Sequence, residues 1–406
     1  MERADVIILG GGLVGLTLAV ALDRHGLSSI VVDPADPEKV AAPQYDGRAT
    51  AVASASWRML EAIGVAERLG GQGCPIGSIR VSDGLGPGGA RFDAGPGEAS
   101  VEDPLGIMFE NRHLRRALRE TAQAAENVTL LMPARAAEVV RDASGVRVAL
   151  EDSRLLTAPL LIGAEGRNSP TREAAQIPLA RWSYDHQAIV ATVEHERHHG
   201  NVAYEIFYPS GPFAILPMLP GTRSAIVWSV PQRDAAAILD LPDRALAAEL
   251  QTRMGGFLGA VRLAGPRASY PLGFHHAATV TGERLVLAGD AAHGIHPIAG
   301  QGLNLGFRDA AVLTQVLVEG ARLGLDLGDA QLLARYERWR SLDTFLVAFA
   351  TDGLTRLFGI PGRTASAIRR FGLGAVQRIA PLKSLFMQEA RGESGELPLL
   401  LRGITV

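Results

Sequence analysis

The sequence predicts an α/β protein: a helix-covered parallel sheet, interrupted by an antiparallel sheet and followed by a helical segment. Three observations carry this. The chain opens with "DVIIL", "LVGLTLAVALDRHG" and "SSIVVD" in succession, unbroken apolar runs on either side of a helical stretch, the pattern of a βαβ unit buried on both faces. From about 179 to 275 the texture changes to aromatic and β-branched runs, "QAIVATVEH", "YEIFY" and "RSAIVWSVP", set off by turn residues, which predicts antiparallel strands. Then "RLVLAGD" returns as a buried strand, "LNLGFRDAAVLTQVLVEGARLG" follows as a long helix, and helical spacing continues to about 390.

The parallel-sheet pieces thus lie on both sides of the insert, and the domains interleave. The expected division is 1–178 with an irregular Gly/Pro-rich excursion over 75–100, a sheet-rich insert over 179–274, the return of the first domain over 275–345, and a helical segment over 346–406. Within the first part "NRHLRRALRETAQAA" has helical spacing, and "VTLLM", "GVRVAL" and "APLLIGAEG" read as strands. At 406 residues, 47% hydrophobic and 20% charged, the chain has material for two joined domains. A net charge of −3 gives no nucleic-acid signal, and the single Cys74 rules out an intrachain disulfide framework. No apolar run approaches the ~20 residues of a membrane span. The expected setting is cytoplasmic, with peripheral attachment at the inner face of the membrane left open.

"GGGLVG" places Gly10, Gly12 and Gly15 as G-x-G-x-x-G directly between strand and helix. Asp33 ends the next strand, close to the ~20-residue spacing of an acid that binds a ribose hydroxyl. Gly10 permits the tight turn, Gly12 admits a pyrophosphate, and Gly15 allows close helix–strand packing. The helix start, Leu13 and Val14, offers amides and a positive dipole end to the phosphates. The expectation is a dinucleotide site.

Two further motifs distinguish flavin from nicotinamide. "GAEGRNSPTR" ends a strand in a glycine turn followed by Asn168, Ser169 and Arg172, and "GDAAHGIHPIAGQGLNLG" begins as strand, Gly289 and Asp290. With the first fingerprint, these resemble the three motifs of the FAD-dependent aromatic-ring monooxygenases, in order. The central motif departs from that pattern in carrying Glu165 where the family has aspartate. "YDGRATAVASASWRMLEAIGV", "HPIAGQGLNLGFRDAA", "YERWRSLDTFLVAFATDGLTRLF" and "GELPLLLRG" further resemble the ubiquinone-biosynthesis hydroxylases.

That resemblance implies FAD as cofactor, NAD(P)H as transient reductant and dioxygen as co-substrate. It implies hydroxylation of a polyprenylated phenol or quinone precursor through a flavin hydroperoxide, with the hard chemistry carried by the cofactor. Asp290 would bind the ribityl region, and Gly300, Gly302, Leu303 and Asn304 would set the loop against the isoalloxazine. Arg48, Asn111 and Arg112 would be further FAD contacts beside Glu165. Pro297 and Gly300 would position the flavin loop at the reacting centre, and Arg172 is a candidate NAD(P)H contact. Expected substrate-lining residues in the insert are Tyr184, Phe207, Tyr208, Phe213 and Trp228. Competing readings are a monooxygenase of a small soluble aromatic, an FAD-dependent reductase, and a non-catalytic flavoprotein that keeps the fold.

His293 and His296 have ligand-like spacing, but Pro297 and Gly300 oppose the helix that such ligation needs, and no metal is expected. "EHERHHG" reads as a solvated hairpin turn, and His275 and His276 as a sheet edge or loop. Between Leu354 and Arg391, Arg356, Arg363, Arg369, Arg370, Arg378 and Lys383 interleave with apolar residues, which predicts basic amphipathic helices for a membrane surface or a biosynthetic complex.

Overall fold

The computed structural model describes residues 1–36, 47–86, 89–94, 102–294, 301–341, 372, 374 and 376–406. Its centre is a six-stranded sheet in the order Thr281–Gly282, Leu285–Leu287, Leu160–Gly163, Val6–Leu9, Ser29–Val32, Val128–Leu131. All neighbours run parallel except the first pair. Val6–Leu9, Ser29–Val32, Leu160–Gly163 and Leu285–Leu287 are buried throughout, which is why these strands are unbroken apolar runs rather than alternating ones. Helices Leu13–Asp23, Asn111–Ala124 and Gln301–Arg322 share the main core with this sheet, the latter two packing on Leu13–Asp23.

The insert is built on a nine-stranded sheet. Its main path runs His293–Gly294, Ala268–Ala277, Leu179–His195, Arg223–Pro231, Gly211–Met218, Val202–Tyr208, Ser78–Asp83, Ala90–Asp93. The last two strands correct the sequence division. Ser78–Asp83 and Ala90–Asp93 come from the expected irregular excursion, yet Ser78–Asp83 pairs parallel with Val202–Tyr208. Helices Gln232–Leu239 and Asp243–Arg253 cover one face, burying Ile189, Phe213, Ile226, Trp228 and Leu250 as a second core.

A three-stranded sheet, Ala49–Ala53, Gly106–Glu110 and Cys74–Ile76, stands between the two large ones. Glu110 ties it to the insert, accepting from Arg223 Nη1 and Arg112 Nε at 2.6 Å each. The chain end returns to the first domain: Leu400 and Leu401 are buried in the main core, and Val406 N donates to His25 Nε2 at 2.9 Å. Among the described residues no helix is long and apolar enough to cross a membrane. Of the basic tail, residues 342–371 lie outside the described residues; Ala380–Ala390 is a helix.

Candidate functional site

The first glycine loop is held by contacts only glycine allows. Gly10 has φ +109°, and a Cβ there would lie 2.4 Å from Ala164 O; one at Gly15 would lie 1.9 Å from Gly10 O. A Cβ at Gly12 would meet nothing within 4 Å among the described residues, so the loop is open on that side. The helix behind it has no side-chain cap, leaving the first amides, at Leu13 and Val14, to an outside acceptor. Asp33 braces the loop, accepting from Gly11 N at 2.6 Å and Ala35 N at 2.7 Å.

The central motif folds back on itself. Glu165 accepts from the Ser169 hydroxyl at 2.5 Å and the Thr171 hydroxyl at 2.6 Å, and burial pushes its carboxyl above the usual range. Both oxygens thus accept from hydroxyls inside the motif, and Glu165 braces the turn. Arg172 is corrected. It is 2% exposed and donates to Ala291 O at 2.9 Å and Arg167 O at 3.0 Å, bracing the two motifs together rather than meeting a nicotinamide.

The third motif closes against the first. Gly289 turns with φ +61°, and a Cβ there would lie 3.1 Å from Val14 Cγ2, while one at Gly306 would lie 2.5 Å from the same atom. Val14 is therefore wedged between the Gly289 turn and the long helix. Beneath the turn, the wholly buried Asp309 accepts from Gly289 N at 2.8 Å, His293 Nε2 at 2.7 Å and Arg340 Nε at 2.6 Å. Burial alone would raise its carboxyl, but His293 and Arg340 outweigh that and hold it at about 2. Sequence reasoning missed Asp309 and Arg340. The available signal was an acid directly before the apolar run "AAVL" of a helix.

Asp290 points outward: its side chain is exposed, and among the described residues only its carbonyl is engaged, by His275 Nε2 at 2.8 Å. Asn304 is buried and clamps the strand Ala49–Ala53 with both ends of its amide, accepting from Ala53 N and donating to Ala51 O at 2.9 Å. Gly302 and Leu303 start the same helix and are half-buried. Arg48 and Asn111 are brought together, Arg48 O accepting from Asn111 N at 3.0 Å. Arg112 is paired with Glu110. His296, Pro297 and Gly300 lie outside the described residues.

The expected substrate-lining residues divide. Phe213 and Trp228 are buried in the helix-covered core, with Tyr208 packed against it and donating to Arg253 O at 2.5 Å. These three are corrected to packing residues. Phe207 alternates onto the opposite face. Tyr184 is half-buried in the irregular stretch between Ser183 and Gln187 of its strand, its hydroxyl accepting from Trp182 Nε1 at 3.3 Å. The hairpin expectation for "EHERHHG" also fails in part. His195 and His199 are 5% and 3% exposed, bonded to Ser224 Oγ and Met218 O, and burial lowers both pKa values. His275 is likewise buried.

These residues fit FAD. A carboxylate stands beside the first loop, an uncapped helix start opens at Gly12, and an outward Asp290 stands where the third motif meets the first. The comparisons agree with this geometry. A family model described as FAD binding domain matches residues 3–344. The chain is 47% identical to the ubiquinone hydroxylase UbiL of Rhodospirillum rubrum, over 99% of this chain and 93% of that one. It is 32% identical to the 3-demethoxyubiquinol 3-hydroxylase of Escherichia coli, over 96% and 99%. The crystal structure of p-nitrophenol 4-monooxygenase PnpA from Pseudomonas putida shares its fold with a TM-score of 0.80 at 18% identity, covering 98% of this chain and 100% of that one.

Proposed function

The chain belongs to the ubiquinone-biosynthesis hydroxylases of the FAD-dependent aromatic-ring monooxygenases, and from that premise we propose that its substrate is a polyprenylated phenol or quinone precursor. It is an FAD-dependent, NAD(P)H-using aromatic hydroxylase. The observation that carries the substrate reading is the match to a ubiquinone hydroxylase along 99% of the chain, which includes the insert as well as the cofactor domain.

When bound, FAD would supply the activation of dioxygen with electrons from NAD(P)H. The chain does the rest. Asp33 and the amides at Leu13 and Val14 take the ribose and pyrophosphate, and Asp290 takes the ribityl hydroxyls. Asp309, His293 and Arg340 fix the turn that presents Asp290, while Asn304 fixes the start of the long helix against Ala51 and Ala53. Pro297 and Gly300, which lie outside the described residues, are proposed as ring contacts on the family resemblance alone. The insert face opposite its helices supplies an apolar surface for the substrate: Leu216 and Val227 are half-buried there, consistent with a ring kept from water.

Peripheral attachment to a membrane or a biosynthetic complex is part of the same proposal. Ile379, Leu385 and Phe386 are exposed on or beside the helix Ala380–Ala390, which also carries Lys383, and an apolar face of this kind suits a lipid interface.

The test is product formation by the flavin-loaded protein with NAD(P)H and dioxygen. A polyprenylated phenol should gain one oxygen atom, traced by labelled dioxygen. Hydroxylation of small soluble phenols alone would point to a soluble-aromatic enzyme, and turnover that needs no dioxygen would point to a reductase.

A further inference from the structure

Glu205 sits in the middle of the strand Val202–Tyr208. Alternation along that strand sends Tyr204, Ile206 and Tyr208 toward the helix-covered core and Ala203, Glu205 and Phe207 to the other face. The neighbours in register with Glu205 are Val81 and Ala214, and beyond them on that face stand Leu216 and Val227. A carboxylate therefore stands in an apolar floor. It is half-buried, and among the described residues no hydrogen bond or ion pair reaches it.

This face is turned to the cofactor domain. Ala203, Val81 and Leu216, all beside Glu205, pack in one cluster with Ala49 and Ala51. Ala51 O in turn accepts from Asn304 at the start of the long helix. One strand thus separates the apolar floor from the residue that begins the flavin-side helix. Leaving a carboxylate unpaired in apolar surroundings is costly, and such groups concentrate where chemistry uses them.

We propose that Glu205 is a catalytic residue of the hydroxylation, the base that takes the proton from the ring hydroxyl of a phenolic substrate; this rests on the function proposed above. The substrate O–H bond breaks and a carboxyl O–H bond forms. The electron pair left on oxygen moves into the ring, and the carbon ortho or para to it forms the new C–O bond as the O–O bond of the activated dioxygen breaks. The resulting dienone loses its ring C–H proton to solvent and regains aromaticity, and its carbonyl oxygen takes back the proton held by Glu205. The oxygen atom comes from dioxygen, the second oxygen leaves as water, and NAD(P)H supplies two electrons.

Burial pushes the Glu205 carboxyl up to about 7, which makes its ionised form a stronger base than an ordinary carboxylate. The elements packed around it carry few groups to alter this. Asp83 ends the neighbouring strand beside Phe207, and Arg80 is turned to the other face over the Tyr204 ring. Arg91 pairs with Asp93, Glu110 with Arg112 and Arg223, and Arg391 with Asp103. Cys74 is protonated, pushed up to about 12 by burial, and Lys383 and Glu389 belong to the helix Ala380–Ala390.

The experiment compares full-length, flavin-loaded wild type, Glu205→Gln and Glu205→Asp on a polyprenylated phenol, at equal bound flavin. In wild type, kcat/KM for hydroxylated product should rise with pH through about 7. Glu205→Gln should form product about 100-fold more slowly or worse, lose that rise, and release hydrogen peroxide from the NAD(P)H it consumes. Ring-fluorinated phenols, which ionise unaided, should recover part of its rate, and Glu205→Asp should keep the pH-dependent limb. A Glu205→Gln enzyme with wild-type rate and pH profile overturns the assignment while leaving the proposed function standing. A wild type that hydroxylates no phenol overturns both.

Discussion

His293 donates through Nε2 to Asp309 Oδ2 at 2.7 Å, and the same oxygen accepts from Gly289 N at 2.8 Å. Two histidines in "GDAAHGIHP" suggest ligands at first sight. One of them is instead a strut: an ionised carboxylate only accepts, so Nε2 must carry the proton. The carboxylate it meets also takes Arg340 at 2.6 Å. The turn that presents Asp290 is therefore supported from below by a buried ionic cluster.

Breaking that cluster should unfold the turn before it affects chemistry. Asp309→Asn leaves Arg340 and His293 buried with a neutral partner, and removal of one member of a buried pair costs about 3–5 kcal/mol. A large drop in melting temperature with loss of bound flavin is expected. The pH dependence has a definite sign. The carboxyl lies at about 2 against an ordinary 3.8, so its stabilisation is complete above about pH 4 and is lost as pH falls toward 2. Acid unfolding of wild type should show this component, and the variant should lack it.

The glycines of the first fingerprint should separate by substitution. Gly15→Ala drives a Cβ to 1.9 Å from Gly10 O and should destabilise the apoprotein by several kcal/mol, through overpacking and backbone shift. Gly12→Val adds a Cβ that meets nothing within 4 Å among the described residues, and it should leave the apoprotein melting temperature nearly unchanged while abolishing flavin binding. Equal thermal damage in both would contradict the open face at Gly12.

Asp290→Ala removes an exposed side chain with no bond to the described residues. Its thermal unfolding without cofactor should match wild type within about 0.5 kcal/mol. Flavin affinity should fall at least tenfold, about 1.4 kcal/mol, read by fluorescence titration. Unchanged affinity would remove Asp290 from the site.

The C-terminal region should split into two functions. Leu400→Ala opens the main core and should cost about 2–5 kcal/mol, so deletion of the whole tail would report folding rather than attachment. Ile379→Glu with Leu385→Glu, both at exposed positions, should leave melting nearly unchanged and reduce co-sedimentation with anionic lipid vesicles. Retained sedimentation would argue against this helix as the attachment face.

Much of the cofactor domain was legible because its causes are local. "VIIL", "SIVV" and "LLIG" are covered on both faces, so burial is written into consecutive residues. Gly10 and Gly15 announce themselves because only glycine tolerates their contacts. The insert was legible as strands but not in detail. Which face Phe213 or Phe207 turns to depends on register, and a shift of one residue exchanges every side chain between faces. Ser78–Asp83 and Ala90–Asp93 were hidden by the glycines and prolines around them, and the pairing that ties them into the insert, Ser78–Asp83 with Val202–Tyr208, joins strands far apart along the chain. The Asp309–Arg340 pair was illegible for a similar reason: an acid and a base on two helices carry no mark of partnership until the fold brings them together.

The placing of Val14 sets an order of events during synthesis. Its side chain is gripped by the Gly289 turn and by Gly306, and that turn is pinned through Asp309 to Arg340. A nascent chain can thus display the first fingerprint while still lacking the far wall of the pocket. Flavin capture should wait until the segment carrying Arg340 has left the ribosome. Ribosome-bound chains arrested short of that residue should remain colourless in the presence of FAD, and chains released at full length should turn yellow.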